Sequence, residues 1–342
     1  MCLYPKLIKN RKYIANKKNG GIIPAVSDNR VLMVPVGCGK CIECKKQKSR
    51  EWQVRLQEEI RNNTNGKFIT LTFSNESIIE LTEDSKLEGY NLDNEIATKG
   101  VRRFLERWRK KYKKSIRHWL VTEIGGNNTE RIHIHGIIWT NELEEISKIW
   151  KYGIITIGER KYYKGKEMNK NSIGYVNEKT INYIVKYVNK IDQKHKEYNS
   201  KILCSHGIGN NYTNRIDSKT NKYKDINTDE TYKTRQGIKL AMPIYYRNKI
   251  YNEEEREKLW LQKLDKNVRW VCGEKVDISK GEEEYYKILE YYRVKNKRLG
   301  YGNNEKNWEL KRYENERRNL KKLEILKNVG SKPQGYNKKK QN

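Results

Sequence analysis

Nine residues, from Arg131 through Ile132, His133, Ile134, His135, Gly136, Ile137 and Ile138 to Trp139, constrain this chain more than any other stretch. β-Branched and aromatic residues surround two histidines spaced by one. In a strand, residues two apart share a face, so this is the pattern of a buried strand with both imidazoles on one side. Two ligand-type side chains on a rigid strand suit a divalent metal. They also suit two histidines satisfied by hydrogen bonds in a core or at a surface, and the neighbouring sequence has to choose.

A second strand pattern, His118 to Ile124, ends at Gly125-Gly126-Asn127-Asn128, a turn composition. The two strands therefore form an antiparallel hairpin. Glu123 is the carboxylate within its apolar part, and Glu123 and His133 lie at comparable distances from a turn centred near residue 128. That geometry makes Glu123 the candidate third ligand beside His133 and His135, with a surface glutamate on an edge strand as the alternative.

Around this hairpin, Lys67 to Phe73 alternates as a strand, and a polar loop rich in Asn, Asp and Glu follows it. Val101, Phe104, Leu105, Trp108 and Tyr112 recur at helical spacing, with arginines 102, 103, 107 and 109 on the other face. A short helix is expected at Leu143 to Trp150 and a strand at Gly153 to Gly158. The order βα(ββ)αβ predicts an α+β domain, a central antiparallel sheet with helices against one face.

Lys and Arg number 73 against 43 Asp and Glu, a net charge of +30 that attracts a polyanion, nucleic acid first among them. No run approaches the about 20 apolar residues of a membrane span, and the start of the chain lacks the apolar core of a signal peptide. The expected setting is a reducing cytoplasm with no membrane partner, where six cysteines are thiols or metal ligands before disulfides.

Cys38, Cys41 and Cys44 stand at Cys-x2-Cys-x2-Cys spacing, with Gly37 and Gly39 permitting a tight backbone. A closed zinc site needs a fourth thiolate, and Cys2 is the candidate because the segment before Lys40 can fold back. Zn2+ is preferred to an iron–sulfur cluster because the ferredoxin spacing is absent; four reduced thiols are the alternative. The following stretch, to Asn62, places Trp52, Leu56 and Ile60 on one stripe of a basic amphipathic helix.

Between Thr180 and Lys190, at about 100° per residue, Ile181, Ile184, Val185 and Val188 form a buried stripe. Tyr183 and Tyr187 stand together off that stripe, beside Lys186 and Lys190. Surface aromatics on a basic helix are common in so tyrosine-rich a chain. Beside a metal-ready hairpin, however, a phenol is a nucleophile candidate for phosphodiester transfer. Residues 201–250 read as loop-rich. Three charged helical stretches follow, near 252–268, 282–298 and 304–328, then a tail containing Lys338, Lys339 and Lys340. Tyr285, Tyr286, Tyr291 and Tyr292 among basic residues suit stacking on single-stranded DNA, or simply solvated helices. No Gly-Lys-Ser/Thr phosphate loop appears, so helicase activity within the chain is not expected.

Three motifs in order, Phe68 to Phe73, His133-Ile-His135 and Tyr183-x-x-x-Tyr187, resemble those of HUH-superfamily rolling-circle replication initiators. The likeness extends to the initiators of gokushovirus-type microviruses, small single-stranded DNA bacteriophages. It there includes the segment Gly37 to Cys44 with Arg50 and Trp52, Tyr183 to Lys190, Ser205 to Gly209, and Leu240 to Arg247, so that it covers roughly residues 1–250. The resemblance implies an HUH endonuclease fold of ferredoxin/RRM-like type and a catalytic Mg2+ or Mn2+ held by His133, His135 and, less directly matched, Glu123. Tyr183 or Tyr187 would be the nucleophile, with Lys186 favouring its phenolate. It implies single-stranded DNA and a replication origin as substrates, host helicase and polymerase as partners, and the cytoplasm of a bacterial host as the location. The expected organisation is a Cys-rich segment with its basic helix (1–62), the nuclease domain (63–200), a loop-rich region closing it (201–250) and a basic helical C-terminal region (251–342). A relaxase or single-strand transposase of the same superfamily, or a non-catalytic zinc-containing nucleic-acid-binding protein, are the alternative readings.

Overall fold

The computed structural model describes residues 2–126, 130–163, 166–167 and 176–330. The tail lysines 338–340 and the turn residues Asn127 and Asn128 lie outside the described residues. The chain forms two compact units that interleave in sequence. One takes residues 1–63, 177–196 and 206–306, the other 64–176, 197–205 and 307–342.

The second unit is a mixed helix and sheet body around a central antiparallel sheet. Numbered along the whole chain, its elements are β3 (Gly66–Leu71), α2 (Asn75–Thr82), α3 (Gly89–Tyr112), β4 (Arg117–Ile124), β5 (Ile132–Trp139) and α4 (Leu143–Ile149). β6 (Ile154–Ile157), β7 (Arg160–Tyr163), β8 (Lys166–Glu167), β9 (Ile202–Cys204) and α10 (Trp308–Gly330) complete it. The strand order is β8-β7-β6-β3-β5-β4-β9, antiparallel throughout. Period-2 alternation sends Ile69, Leu71, Leu120, Ile124, Ile132, Ile134 and Ile138 to one face, where they pack with Phe104 and Trp108 of α3 and with residues of α2 and α4. Gly136 lies between the two aliphatic pairs of β5. A Cβ there would come within 2.2 Å of the Trp119 carbonyl oxygen, so glycine is what lets β4 and β5 pair closely.

Two helices differ from the sequence expectation. The polar stretch after β3 contains α2, begun by Ser74, whose hydroxyl accepts from the Ser77 N–H. α3 starts twelve residues before its clear apolar stripe, because Leu92, Ile96 and Ala97 extend the same face and are buried.

Position 318 of α10 explains why so charged a helix is ordered. Arg318, 4% exposed, donates two hydrogen bonds to Asp93 of α3, at 3.0 and 3.2 Å, and a third to Glu130 at 3.4 Å. Buried charge is tolerated only when paired and hydrogen-bonded, and here it is both.

The first unit contains β1 (Lys6–Lys9), β2 (Met33–Val36), α1 (Ile42–Asn62), α5 (Glu178–Ile184), α6 (Lys186–Asn189), β10 (Thr231–Lys233), β11 (Lys239–Ala241) and α7 (Ile244–Ile250). α8 (Glu253–Asp265), β12 (Val268–Val271), β13 (Glu274–Asp277) and α9 (Glu283–Arg298) follow. Its strands pair as three two-stranded antiparallel ribbons, β1–β2, β10–β11 and β12–β13. The expected charged helices in the last third are α8, α9 and α10; the β12–β13 hairpin between the first two carries no long apolar alternation by which the sequence would announce it. One core gathers Val54 of α1 with Tyr212, Tyr232, Met242, Tyr246, Tyr251 and Leu259. Another joins Leu3, Cys41 and Ile42 to Val271 and Leu289. Tyr286 and Tyr291 of α9 are exposed, whereas Tyr285 and Tyr292 pack against this second core. Among the described residues no helix is long and apolar enough to cross a membrane.

Candidate functional site

The hairpin places its polar residues by register. Glu123 lies opposite His133 and Val121 opposite His135 in the β4–β5 pair, while Thr70 lies opposite His135 in the β3–β5 pair. Residues directly opposite share a face, so Glu123, His133, His135 and Thr70 emerge together, away from the face that packs against α3. Glu123 Oε2 and His135 Nε2 are 2.8 Å apart. The other ring nitrogen of His135, Nδ1, is 3.0 Å from the Thr70 hydroxyl oxygen. Thr70 therefore fixes the imidazole so that Nε2 faces the carboxylate, the kind of outer contact that orients a metal-binding histidine.

The His133 ring lies with its centroid 6.5 Å from that of His135. A Cβ at Gly125 would sit 2.7 Å from His133 Cε1 and 3.0 Å from Nδ1, so the glycine of the turn makes room for this ring. Burial lowers the His133 pKa, helped by the nearby His135 and Arg131 and opposed by Glu123. A base whose ordinary value is about 6.5 and is pushed lower is neutral at pH 7, with a lone pair available to a cation. Two imidazole nitrogens and one carboxylate oxygen are a donor set that accepts a divalent transition ion such as Mn2+. The residues thus fit the group the resemblance implies. Glu123 and His135 already meet, and His133 stands farther off.

Tyr183, Lys186 and Tyr187 lie in the other compact unit. The apolar stripe is buried as expected: Ile181, Ile184, Val185 and Val188 are all at most 5% exposed. The helix, expected to be continuous, divides into α5 and α6 at Val185, whose carbonyl oxygen accepts from the Ser49 hydroxyl of α1 at 3.0 Å. Asn182 holds the same pair of elements together by accepting from Gln53 at 2.8 Å. Tyr183 is 47% exposed. The two phenol oxygens are 2.7 Å apart with the rings edge to face, and Lys186 Nζ stands 5.8 Å from the centre of the Tyr183 ring. One phenol donates to the other, and a cation lies beside them.

Cys2, Cys38, Cys41 and Cys44 come together as one cluster, all four Sγ atoms within 4.8 Å of one another. Among the described residues this is the group of three or more His, Cys, Asp or Glu side chains that closes so tightly. Four sulfurs about 2.3 Å from a tetrahedral zinc are about 3.8 Å apart. Cys2 and Cys41 are 3.8 Å apart, Cys38 and Cys44 4.0 Å. Backbone N–H groups of Tyr4 and Cys38 point at Cys2 Sγ, and that of Cys41 at Cys38 Sγ, at 3.2 to 3.3 Å, as suits sulfur carrying negative charge. The thiols compete for charge. Donation from Cys2, Cys41 and Cys44 holds Cys38 far below the usual thiol range, while Cys2, Cys38 and Cys41 push Cys44 up. None of the six cysteines is in a disulfide. The cluster can hold a structural metal such as Zn2+.

A family model described as a replication-associated protein of the ORF2 type matches residues 66–192. The chain is also 26% identical over 287 residues to the replication-associated protein ORF2 of Spiroplasma virus 4, covering 75% of this chain and 82% of that one. Both findings mark a similarity to replication-associated proteins of the ORF2 type, one of them from a virus. No solved structure matches significantly. The stretch matched by the family model contains Glu123, His133, His135, Tyr183, Lys186 and Tyr187, and stops short of the four cysteines on the N-terminal side.

Sequence reasoning did not single out Thr70 or Gly125 as parts of the site. Thr70 was legible as an alternating strand residue, but its contact with His135 depends on a pairing between segments 65 residues apart. Gly125 read as a turn residue, and its role toward His133 appears only when the ring is placed.

Proposed function

We propose that this chain initiates replication of a single-stranded DNA phage by nicking one DNA strand at the origin and later rejoining its ends. The observation that carries the reading is the convergence of Glu123, His135 and Thr70 beside His133 on one sheet face. This face lies within a stretch that matches a replication family and also contains the tyrosine pair. A fold of the HUH type belongs to the same proposal.

In this mechanism the oxygen of Tyr183 or Tyr187 attacks the scissile phosphorus in line. A P–O bond to tyrosine forms, the bond to the 3′ oxygen breaks, the phenol gives up its proton and the leaving oxygen gains one. The products are a 5′-phosphotyrosyl protein and a 3′-hydroxyl that a polymerase can extend. A phenol, with an ordinary pKa of about 10, needs help to ionise. The partner hydroxyl at 2.7 Å and the Lys186 ammonium stand beside the phenol where charge develops as it gives up its proton in the attack. A divalent ion held by His133, His135 and Glu123 would polarise the phosphate as a Lewis acid. Thr70 keeps His135 Nε2 toward that position. Rejoining is the reverse attack by a 3′-hydroxyl on the phosphotyrosine, which keeps the energy of the phosphodiester. With two tyrosines, one cuts the newly made origin while the other is still bonded. The four cysteines would bind Zn2+ as a structural element apart from this chemistry.

The test is incubation of the protein with single-stranded origin DNA and Mn2+, followed by a denaturing gel. A covalent adduct is expected from the wild type, with loss in the Tyr183→Phe/Tyr187→Phe double variant. An adduct of equal yield from that double variant, or none from the wild type on the phage's own origin, overturns the proposal.

A further inference from the structure

A cleft of about 470 Å³ opens in the first unit between the end of α8 and the β12–β13 hairpin. Its size is that of an ordinary small-ligand pocket. The hairpin turns through Cys272 and Gly273, both at positive φ, the geometry of a two-residue turn matched to strand twist. One face of the hairpin buries Val271 and Val276. The other presents Trp270, paired directly across the ribbon with Lys275.

Trp270 is 51% exposed, an unusual position for so large an apolar surface, and Trp260 of α8 lines the same cleft. The indole N–H of Trp260 is buried and has no hydrogen-bond partner among the described residues. Leu264, Val268 and four cations, Lys263, Lys266, Arg269 and Lys275, complete the lining, and among the described residues no carboxylate contributes to it. Lys263 is held by Glu230 at 2.9 Å, and Arg269, opposite Val276 on the buried side of the ribbon, donates to the carbonyl oxygens of Lys266 and Val268, so Lys266 and Lys275 are the lining cations that face an anion. The occupant that fits is flat, aromatic and negatively charged. A nucleotide of an unpaired strand has all of these properties. A base stacked within a duplex cannot offer its face, so duplex DNA does not fit.

We infer that this cleft is a single-stranded DNA subsite in which Trp270 stacks on a base while Lys266 and Lys275 meet the adjoining phosphates. The choice of DNA rests on the replication reading; the aromatic and cationic character of the cleft stands without it. Stacking tolerates any base, so the subsite holds strand without reading sequence. That suits a protein that must keep hold of a displaced strand.

The experiment uses the full chain and a fluorescein-labelled oligothymidylate of no origin sequence, in EDTA, with affinity read by anisotropy. Trp270→Ala should weaken binding about 5- to 150-fold, the range of one lost base–aromatic stack. Lys275→Ala should weaken it and lower the salt slope by about 0.7. An abasic oligomer should bind wild type and Trp270→Ala alike. An oligomer carrying 5-iodouracil, irradiated on the wild type, should attach within residues 260–275. Because Trp270 is half exposed, the variant should keep the wild-type melting temperature, and its circular dichroism checks this. Unchanged oligothymidylate affinity in a folded Trp270→Ala protein overturns the inference, as does crosslinking confined to other segments. Origin nicking is measured separately. A chain that fails to nick yet loses strand binding in Trp270→Ala keeps this subsite and loses the proposed function, and the converse result does the opposite.

Discussion

Replacing Cys2 by serine should open the longest loop that a metal would close in this protein. Cys2 and Cys38 are 36 positions apart, and the intervening chain is held at its ends by the four-sulfur cluster and by the β1–β2 ribbon. Treating the metal as a cross-link that closes a loop of this length, chain entropy assigns it about 4 kcal/mol. For a unit of between about 150 and 250 residues, that is a fall in melting temperature of roughly 8 to 16 °C. Zinc should be found at one equivalent in wild type, by mass spectrometry and by release to a chromogenic chelator after thiol modification. In Cys2→Ser the three remaining thiolates should still bind zinc but yield it to a weaker chelator, with the melting transition lowered. Cys204→Ser, an exposed cysteine outside the cluster, is the control and should change neither quantity. Metal-free wild-type protein with an unchanged melting curve, or a Cys2→Ser protein as stable as wild type, would refute the argument.

Thr70→Val removes the contact that orients His135 and should lower metal affinity or nicking about 10- to 100-fold while leaving the fold intact, with metal titration and circular dichroism as readouts. Gly125→Ala should move the His133 ring, because its new methyl would lie 2.7 Å from Cε1, and should weaken divalent-ion binding while Gly126→Ala, with open space around it, does not. Arg318→Leu leaves Asp93 and Glu130 without their shared guanidinium, but Lys322 still reaches Asp93 at 3.4 Å and Arg317 reaches Glu130 at 3.0 Å, so it should cost less than the about 3–5 kcal/mol of an unpaired buried charge in urea unfolding of the second unit. His118 titrates below its ordinary value, because burial outweighs its bond to the Ile116 carbonyl oxygen and the Arg117 charge lowers it further. The unfolded chain then binds a proton before the folded one does. The stability that neutral His118 contributes is complete above about pH 6.5 and is lost as pH falls through the folded value. His118→Gln should flatten that acid limb of the unfolding free energy.

What the sequence determined by itself was local. Alternation put His133 and His135 on one face of β5, and the Gly125-Gly126 turn, through its symmetry about residue 128, set Glu123 against His133; both follow from the period of a strand and the length of one hairpin. The stripe of Ile181, Ile184, Val185 and Val188 likewise follows from helical period, which sends Tyr183 and Tyr187 away from the buried side. Tertiary structure alone decided matters that join distant segments. It brought Thr70 to His135, Cys2 to the other three cysteines, and Arg318 to Asp93 across 225 positions. It also grouped the tyrosine helices with α1 rather than with the sheet that carries the histidines. The physical reason is that period and turn chemistry act over a few residues, whereas these pairings depend on which apolar faces bury one another. The sequence records that only as burial potential, without naming the partner.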